Sequence, residues 1–446
     1  MPMTRRNLFV LLLMTSIGGW AQTDSLKNSF KLSLDFMTHG ELCGGGLPKS
    51  ADPDLPVEDR SCFILGRTRL IMDYERPYLT AHAVLQNRKV WGTGGNETLT
   101  LYEGWAKLTA PSGLFVQVGR VAMAYDDERI IGTNDFSTAS LSHDVLRFGY
   151  EGPVHKVHGI LAYNQNEDNV YANTYYDVSK GAQFYKSMQT VWYHLDVPKF
   201  PLGASLLFMN MGLQAGENGS TDNPPSTVYQ QMYGGYLNYH PKRLTLEGTY
   251  YRQTGKMIDK RLHALKIRAW MASFKATVDI TNRYGAVTGY DHLSGDDYMP
   301  VVHPGQWGLV RHDVMRGFSP MYGSRTKFYG IMDYYYQSAY LNGFTPGLQN
   351  AFIGGYGKPV EKLTCNLTYH YLAVATKLED YNRTLGHSID FHATYNFTKD
   401  ISLSAGYTYM FGTETMKSLK QDESSAHAHW GWFSLFISPE LFSAKF

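Results

Sequence analysis

The sequence predicts an all-β protein, a transmembrane antiparallel β-barrel of about 18 strands with short periplasmic turns and long extracellular loops. Stretches of about 10 to 13 residues alternate between apolar and polar side chains, which suits a tilted membrane-spanning strand better than a soluble one. The connections between these stretches are either short or long. Beyond residue 21, no apolar run approaches the roughly 20 residues of a membrane helix.

The N-terminal segment has the parts of a signal peptide. Arg5 and Arg6 precede an apolar run from Leu8 to Met14, and Gly19 and Ala21 supply small residues near a cleavage site. The apolar run is about half as long as a membrane anchor needs. We therefore predict a cleaved signal peptide over residues 1–21 and a barrel domain over residues 22–446, integral to the outer membrane of a Gram-negative cell.

The most regular strand runs from Leu385 to Phe397. Ile389 and Phe391 point to one side of it and Asp390 to the other, because successive side chains of a strand alternate. After the turn Thr398-Lys399-Asp400, the same alternation resumes from Ile401 to Phe411, which indicates a hairpin. The closing strand has two candidates at the C-terminus, Trp430 to Ile437 and Phe442 to Phe446, separated by Pro439.

The turns of two sizes support the membrane barrel independently. Short turns are expected at residues 75–77, 110–113, 151–154, 240–243 and 398–400. Long loops are expected at residues 39–61, 126–144, 166–185, 212–227 and 295–326. Tyrosines gather near strand ends, as they do in the aromatic girdles of membrane barrels.

Composition excludes several function classes. The net charge of +1 argues against nucleic acid as a partner, and no cofactor or metal is expected because the three cysteines lack metal-ligand spacing. Cys43 and Cys62 bracket a loop rich in Gly, Pro and Asp and could form a disulfide in an oxidising compartment. Catalysis is not expected, because no GxSxG motif is present and His143, near Ser142 and Ser140, is the only local cluster of interest.

Charged residues on the strands are expected to face the lumen, because a charge aimed at lipid near the midplane costs roughly 2 to 4 kcal/mol. On this basis we predict a pore lined by basic groups and one acid: Arg67, Arg69, Arg120, Arg129, Arg147, Lys266, Arg268 and Asp333. Such groups would concentrate anions along the wall. The alternative is that they pair across strands as a structural ladder.

A run of three acids, Asp126, Asp127 and Glu128, begins a long loop. We interpret it as a constriction that folds into the barrel mouth. A calcium site is the less favoured interpretation, since calcium loops need more alternating oxygen ligands. Packing of the loop onto the wall is the third.

Two regions resemble the alginate-export family of outer-membrane porins. They are residues 118–132 with Asp144-Val145-Leu146-Arg147, and later blocks at residues 289–297, 319–323 and 332–334. The resemblance spans most of the mature chain. It implies a monomeric barrel of about 18 strands, and the family's namesake exports an anionic polysaccharide through an arginine-lined lumen.

These observations predict a porin for small hydrophilic, anionic solutes or saccharides. A dedicated channel for export of an anionic polysaccharide is the alternative of the same class. A barrel with a blocked lumen that acts as an adhesin or structural protein, or an outer-membrane lipase, is the alternative of another class. Expected partners are outer-membrane lipid, the barrel assembly machinery and the solutes themselves.

Overall fold

A computed structural model describes residues 28–45, 60–94, 98–135, 140–166, 170–175, 185–217, 219–258, 264–296, 314–332, 345–377, 381–420 and 427–446. The strand segments are β1 (Ser29–Gly44), β2 (Arg60–Arg76), β3 (Leu79–Val90), β4 (Thr98–Thr109), β5 (Leu114–Val121), β6 (His143–Glu151), β7 (His155–Tyr163), β8 (Ser187–Asp196), β9 (Leu202–Ala215), β10 (Ser226–Tyr239), β11 (Leu244–Ile258), β12 (Ala264–Ile267), β13 (Ala269–Asp279), β14 (Tyr284–Leu293), β15 (Val314–Met315), β16 (Leu348–Val360), β17 (Leu363–Ala373), β18 (Thr384–Asn396), β19 (Ile401–Gly412), β20 (His427–Ile437) and β21 (Glu440–Lys445). Among the described residues, one helix, α1 (Glu414–Lys420), and short 3-10 turns at Val170–Ala172 and Arg325–Lys327 lie in the loops.

The strands close into an antiparallel barrel. Three of the 21 segments add no strand, which leaves 18. The segment β12 continues β13 across a break at Arg268, β21 continues β20 past Pro439, and β15 is a two-residue loop strand beside β12. Each remaining strand pairs with the next, and β1 pairs with both β2 and the last strand. The predicted fold class is confirmed.

Both candidates for the closing strand take part in closure. Phe36 lies opposite Ile437, and Leu32 lies opposite Phe442 farther along β1. Between them the backbone amide of Leu34 donates to the carbonyl of Pro439 at 3.1 Å. Proline is tolerated here because the interruption falls at an irregularity in the pairing.

Connections of the two sizes segregate to opposite ends. Short turns join β2 to β3, β4 to β5, β6 to β7, β8 to β9, β10 to β11, β13 to β14, β16 to β17 and β18 to β19. We call this the turn end. The first and last described residues meet there, since the amide of Asn28 donates to the carbonyl of Phe446 at 2.7 Å. The strand ends that flank the longer connections lie at the opposite end, the loop end.

Alternation along the strands gives the barrel an apolar outer face. Leu206, Ile353 and Val118 are among the most exposed apolar side chains, and none of the described helices is long and apolar enough to cross a membrane. Aromatic pairs mark both ends of this face. Phe200 stacks on Tyr239 at the turn end, and Tyr409 packs beside Phe411 at the loop end.

The inner face is polar along much of its length, with buried Gln117, Thr190, Gln253 and Asn350. Toward the loop end the inner face becomes apolar. Apolar side chains of two inward-folded loops form one buried cluster there with methionines of the wall strands β8, β9, β10 and β13. The loop residues are Met123, Ile130, Ile131, Phe318, Tyr322 and Tyr329, and the methionines are Met188, Met209, Met211, Met232 and Met271. The lumen is therefore narrowed from the loop end.

Candidate functional site

Two loop segments, residues 122–135 and 316–332, enter the lumen and are joined to each other by their backbones. The amide of Gly132 donates to the carbonyl of Tyr322 at 2.9 Å, and the amide of Tyr322 donates to that of Ile130 at 3.2 Å. A third bond runs from the amide of Ser324 to the carbonyl of Glu128 at 2.9 Å. We call this pair of segments the clamp. It satisfies backbone groups that would otherwise be buried without partners.

Arg129 anchors the clamp to the wall and is only 3% exposed. Its guanidinium donates to Asp127 at 2.9 Å and forms an ion pair with Asp291 of β14 at 2.8 Å. The same group lies 3.9 Å from the ring centre of Phe328. Burial alone lowers the pKa of Arg129, but Asp291, Tyr329 and Asp127 outweigh it and raise that pKa above its ordinary value. Arg129 therefore stays protonated and positively charged.

A polar chain continues from Asp291 around the inner wall. Asn350 of β16 donates to Asp291 at 2.9 Å, and its amide oxygen lies 3.0 Å from Nδ1 of His370 on β17. His370 lies 3.5 Å from Asp390 of β18, which accepts from the backbone amide of Ile331 at 3.0 Å. The clamp is thus held at two points, Arg129 and Ile331, by one network of wall side chains.

The three acids of the predicted constriction lie in the clamp but point to different partners. Asp126 accepts from the indole nitrogen of Trp192 at 3.1 Å, and Asp127 pairs with Arg129. Glu128 accepts from Ser324 at 3.1 Å and from Lys327. Within the described ranges, no group of three His, Cys, Asp or Glu residues is arranged to hold a metal. Their role as a constriction stays a prediction.

The electrostatics of these acids differ. Burial raises the pKa of Asp126 above its ordinary value, more than the hydrogen bonds from Ser205 and Trp192 lower it. Burial also raises the pKa of Glu128, but hydrogen bonds from Lys327 and the Thr133 amide outweigh it, and the net pKa is lowered. Glu128 is therefore the acid best stabilised as a carboxylate.

Arg67 and Arg69 face the lumen from β2, and both are buried. Arg67 contacts Asp35 at 3.2 Å and Asp135 at 3.0 Å, and Arg69 contacts Asp135 at 2.8 Å. The guanidinium of Arg69 also lies 4.1 Å from the ring centre of Tyr102. Two arginines and two aspartates thus form a compact cluster, which fits the ladder interpretation of these charges as well as the lumen-lining one.

Arg147 also faces the lumen, on β6. It donates to the hydroxyl of Tyr125 at 3.3 Å and lies 5.5 Å from the ring centre of Phe115. Arg88 of β3 has the parity of buried Gln86 and Val84 and is exposed to the lumen. Neither arginine forms an ion pair with a carboxylate in the part of the chain described. Sequence reasoning missed Arg88, although its parity relative to Gln86 could have revealed it.

Three predicted pore-lining residues lie on the outer face, so those predictions are wrong. Arg120 has the parity of exposed Val116 and Val118, and it pairs there with Asp144 at 2.7 Å. Lys266 and Arg268 are exposed and alternate with inward-facing Ile267 and Ala269. The assumption that every strand charge points inward fails near the loop end, where the cost of facing outward falls. Asp333 lies outside the described residues.

The predicted disulfide is also wrong, because both Cys43 and Cys62 are free thiols. Cys43 is opposite Ser61 and buried, whereas Cys62 is opposite Leu42 and exposed. Neighbouring positions on paired strands point to opposite faces, so the two sulfur atoms diverge. His143 is buried, with Nδ1 2.9 Å from the hydroxyl of Tyr185.

A cavity of about 520 Å³ extends from the clamp toward the turn end, along the wall formed by β13 to β20. Its lining combines charged and polar side chains with apolar and aromatic ones. The charged and polar residues are Arg129, Lys275, Thr326, Lys327, Thr368, His370, Asp390, His392, Thr394 and Ser404, and the apolar and aromatic ones are Val287, Phe328, Ile331, Phe352, Trp432 and Phe436. Lys275 and Lys327 were not among the predicted site residues. Lys275 forms an ion pair with Glu247 at 2.7 Å.

Solved structures share this fold. OccK5 (OpdH) of Pseudomonas aeruginosa matches with a TM-score of 0.57 and 10% identity, over 93% of this chain and 98% of that one. OccK9 (OpdG) of the same organism gives 0.58 and 14%, over 92% and 98%. OccK2 (OpdF), in complex with glucuronate, gives 0.56 and 10%, over 93% and 97%. No family model and no curated protein matches, so the resemblance to the alginate-export family stays a prediction.

Proposed function

We propose that this chain is a porin of a Gram-negative outer membrane that passes small hydrophilic solutes. A cavity of about 520 Å³ inside a closed barrel, lined by apolar and aromatic side chains with charged and polar groups among them, carries the proposal. Cavities of roughly 300 to 1,000 Å³ accept small organic molecules. The clamp sets a limit on solute size, because it occupies the lumen at the loop end.

The solutes we favour are small carboxylates such as sugar acids. Arg88 and Arg147 face the lumen without a carboxylate partner among the described residues, so each is available to a passing anion. The planar fork of arginine matches a carboxylate at two points. OccK2, which has the same fold, has been solved with glucuronate, and this supports the same solute class here.

Two other functions remain as candidates. Export of an anionic polysaccharide, the function of the alginate-export namesake, is supported by the lumen arginines, but the clamp leaves less room for a polymer than for a monomer. A blocked barrel with an adhesive or structural role is supported by the apolar packing between the clamp and the wall methionines. The two differ from a porin in ion conductance and in block by small solutes.

Planar-bilayer recordings test the proposal. A porin gives discrete conductance steps, and a permanently blocked barrel gives none. Under a salt gradient, the reversal potential should indicate a preference for anions, which R147Q and R88Q should reduce. The matched control is K266Q, which removes one positive charge from the outer face and should leave the reversal potential unchanged. Cation preference in the unmodified protein would contradict the anionic solute class.

Solute recognition is a separate measurement. Glucuronate added to one side should reduce the ion current more than glucose at the same concentration, because only glucuronate carries a carboxylate for the lumen arginines. An equal effect of both sugars would contradict the sugar-acid proposal while leaving the porin proposal intact.

Residues 1–21 are proposed to be a cleaved signal peptide, and the barrel assembly machinery is proposed to insert the mature chain. Intact-mass measurement of protein purified from outer membranes should give a chain that starts at Gln22. Retention of the full N-terminus would contradict cleavage.

A further inference from the structure

A band of polar side chains on the outer face marks the loop-end boundary of the apolar surface. Asn210 of β9 donates to Gln189 of β8 at 2.7 Å, and Gln231 of β10 donates to Asn210 at 2.8 Å. Two residues nearer the turn end, Phe208 and Tyr233 are exposed on the same strands. Amides are costly in hydrocarbon even when paired, so the hydrocarbon layer ends at this band.

Four cations cluster around this level on the neighbouring strands. Arg252 is opposite Tyr233, just on the turn-end side of the band, and the other three lie at the band or beyond it. Arg252 and Lys256 lie on β11, and Lys266 and Arg268 lie on or beside β12. All four are exposed, and they alternate with buried Gln253, Ile267 and Ala269, so they point away from the lumen. None of them forms an ion pair or side-chain hydrogen bond with another residue of the described ranges. We call these four residues the outer cation patch.

The register fixes the layout of the outer cation patch. Gln231, at the polar band, is opposite Thr254, and Lys256 is opposite Lys266 two residues farther out. Arg252 is opposite Trp270, whose ring stacks on Tyr250 in the loop-end girdle. Opposed side chains start about 5 Å apart, and residues i and i+2 of a strand are about 7 Å apart. Across the strands the patch is therefore about as wide as one phosphate group, and along the strands it is long enough to contact two.

The unpaired charges call for a counter-anion. Like charges directly opposite each other on paired strands are destabilising, and Lys256 and Lys266 are such a pair. Neither the lumen nor the described loops supply an acid to them. The layer that surrounds them is the lipid headgroup layer, where arginine and lysine extend their charged ends while the stems cover apolar surface.

We propose that the outer cation patch binds the phosphate groups of a phosphorylated glycolipid in the outer leaflet. The forks of Arg252 and Arg268 hold phosphate oxygens at two points, while Lys256 and Lys266 act as compact charges between them. Trp270 and Tyr250 pack against the sugar and upper acyl chains just below. This lipid site is independent of the lumen and of the solute that crosses it.

Binding of purified lipid A to the barrel in detergent, measured by native mass spectrometry, tests the site. The variant R252Q/K256Q/K266Q/R268Q should bind lipid A at least about tenfold more weakly, which is about 1.4 kcal/mol. The matched control R76Q/K199Q/K242Q/K358Q removes four exposed cations from the turn end and should bind normally. Dephosphorylated lipid A should bind both proteins as weakly as phosphatidylcholine does.

Unchanged lipid A binding by the patch variant, or an equal loss in the control, would overturn the proposal. So would equal binding of lipid A and its dephosphorylated form to the unmodified protein. Heat-modifiable migration in gels reports whether each variant is a folded barrel, and the smaller change K266Q/R268Q provides a second variant with an intermediate loss. Single-channel conductance should be the same in all of them, which separates this test from that of the porin.

Discussion

Buried ion pairs at the residue scale decide where the clamp sits rather than how stable the barrel is. Arg129 joins Asp127 of its own loop to Asp291 of the wall, and Asp291 also accepts from Ser273 at 2.7 Å. Such a pair contributes little net stability because both charges lose their hydration, but removal of one member leaves the other buried and uncompensated. The pair therefore favours one placement of the loop over others.

Replacing Arg129 with methionine should release the clamp. Asp291 then stays buried without its cation, which costs about 3 to 5 kcal/mol, and the cost is relieved when the loop leaves the wall. We expect larger and noisier single-channel currents from R129M in a barrel that still migrates as folded. The double variant R129M/D291N should restore much of the low current noise of the wild type, since neither buried charge is left without a partner. Identical currents in the wild type and R129M would show that Arg129 does not position the clamp.

Asp135 should moderate the charge of the Arg67 and Arg69 cluster. It contacts both arginines, and its side chain is half exposed, so it is within reach of solutes in the lumen. The variant D135N removes one negative charge and should move the reversal potential toward stronger anion preference. Asp35, the other partner, keeps the arginines in place. A shift toward cations would contradict the assignment of this cluster to the conducting lumen.

At the scale of elements, side chains of the strands alternate between the two faces with a period of two, whereas the loops have no such pattern. Alternation over Leu385–Phe397 and Ile401–Phe411 predicts β18 and β19 and their hairpin, and the turn sizes predict the two ends. Alternation gives the relative orientation of neighbours but not which face is inner. Arg120, Lys266 and Arg268 were misplaced because their charge, rather than the apolar residues beside them, was used to choose the face.

The inward loops were only partly predictable. The acids at residues 126–128 pointed to a loop that enters the lumen, because several charges start it. The second half of the clamp, residues 316–332, has no periodic pattern, and its contacts with Arg129 and Asp390 join residues far apart in sequence. Local sequence carries no signal for such contacts. The cavity along β13 to β20 could not be predicted for the same reason.

Acid should loosen the clamp only at low pH. The pKa of Glu128 is lowered from 4.5, so its contact with Lys327 is fully present above that value and is lost as the pH falls through the lowered pKa. Asp126 has a raised pKa and takes up a proton at higher pH, which relieves a buried charge and favours the folded loop. Channel noise should therefore stay constant as the pH falls to about 4.5, and it should rise at lower pH.

The variant E128Q provides the check on this pH dependence. It lacks the carboxylate at every pH, so its currents at neutral pH should resemble those of the wild type in acid, and the low-pH step should disappear. K327M should behave similarly, because it removes the cation of the same contact. A step that persists in E128Q would assign the pH dependence to another group.

At the scale of the whole molecule, closure of the barrel determines whether any of these sites exists. Every strand in a membrane barrel has partners on both sides, because unpaired backbone groups in lipid cost several kcal/mol each. The strand β1 is where the chain closes on itself, and it uses β20 for its loop-end half and β21 for its turn-end half. The last residues of the chain therefore complete the sheet rather than extend beyond it.

Removal of residues 438–446 should abolish the stable barrel. The backbone groups of Ser29 to Ser33 that pair with β21 would then face lipid unpaired, and the hydrogen bonds between Asn28 and Phe446 would be lost. We expect loss of the heat-modifiable folded form after refolding into detergent or lipid. The control F446A keeps every backbone group and should refold to the same form, because only an exposed side chain is shortened. If the truncated chain folded as well as F446A, closure at the turn end would not depend on β21, and β1 would have to find another partner there.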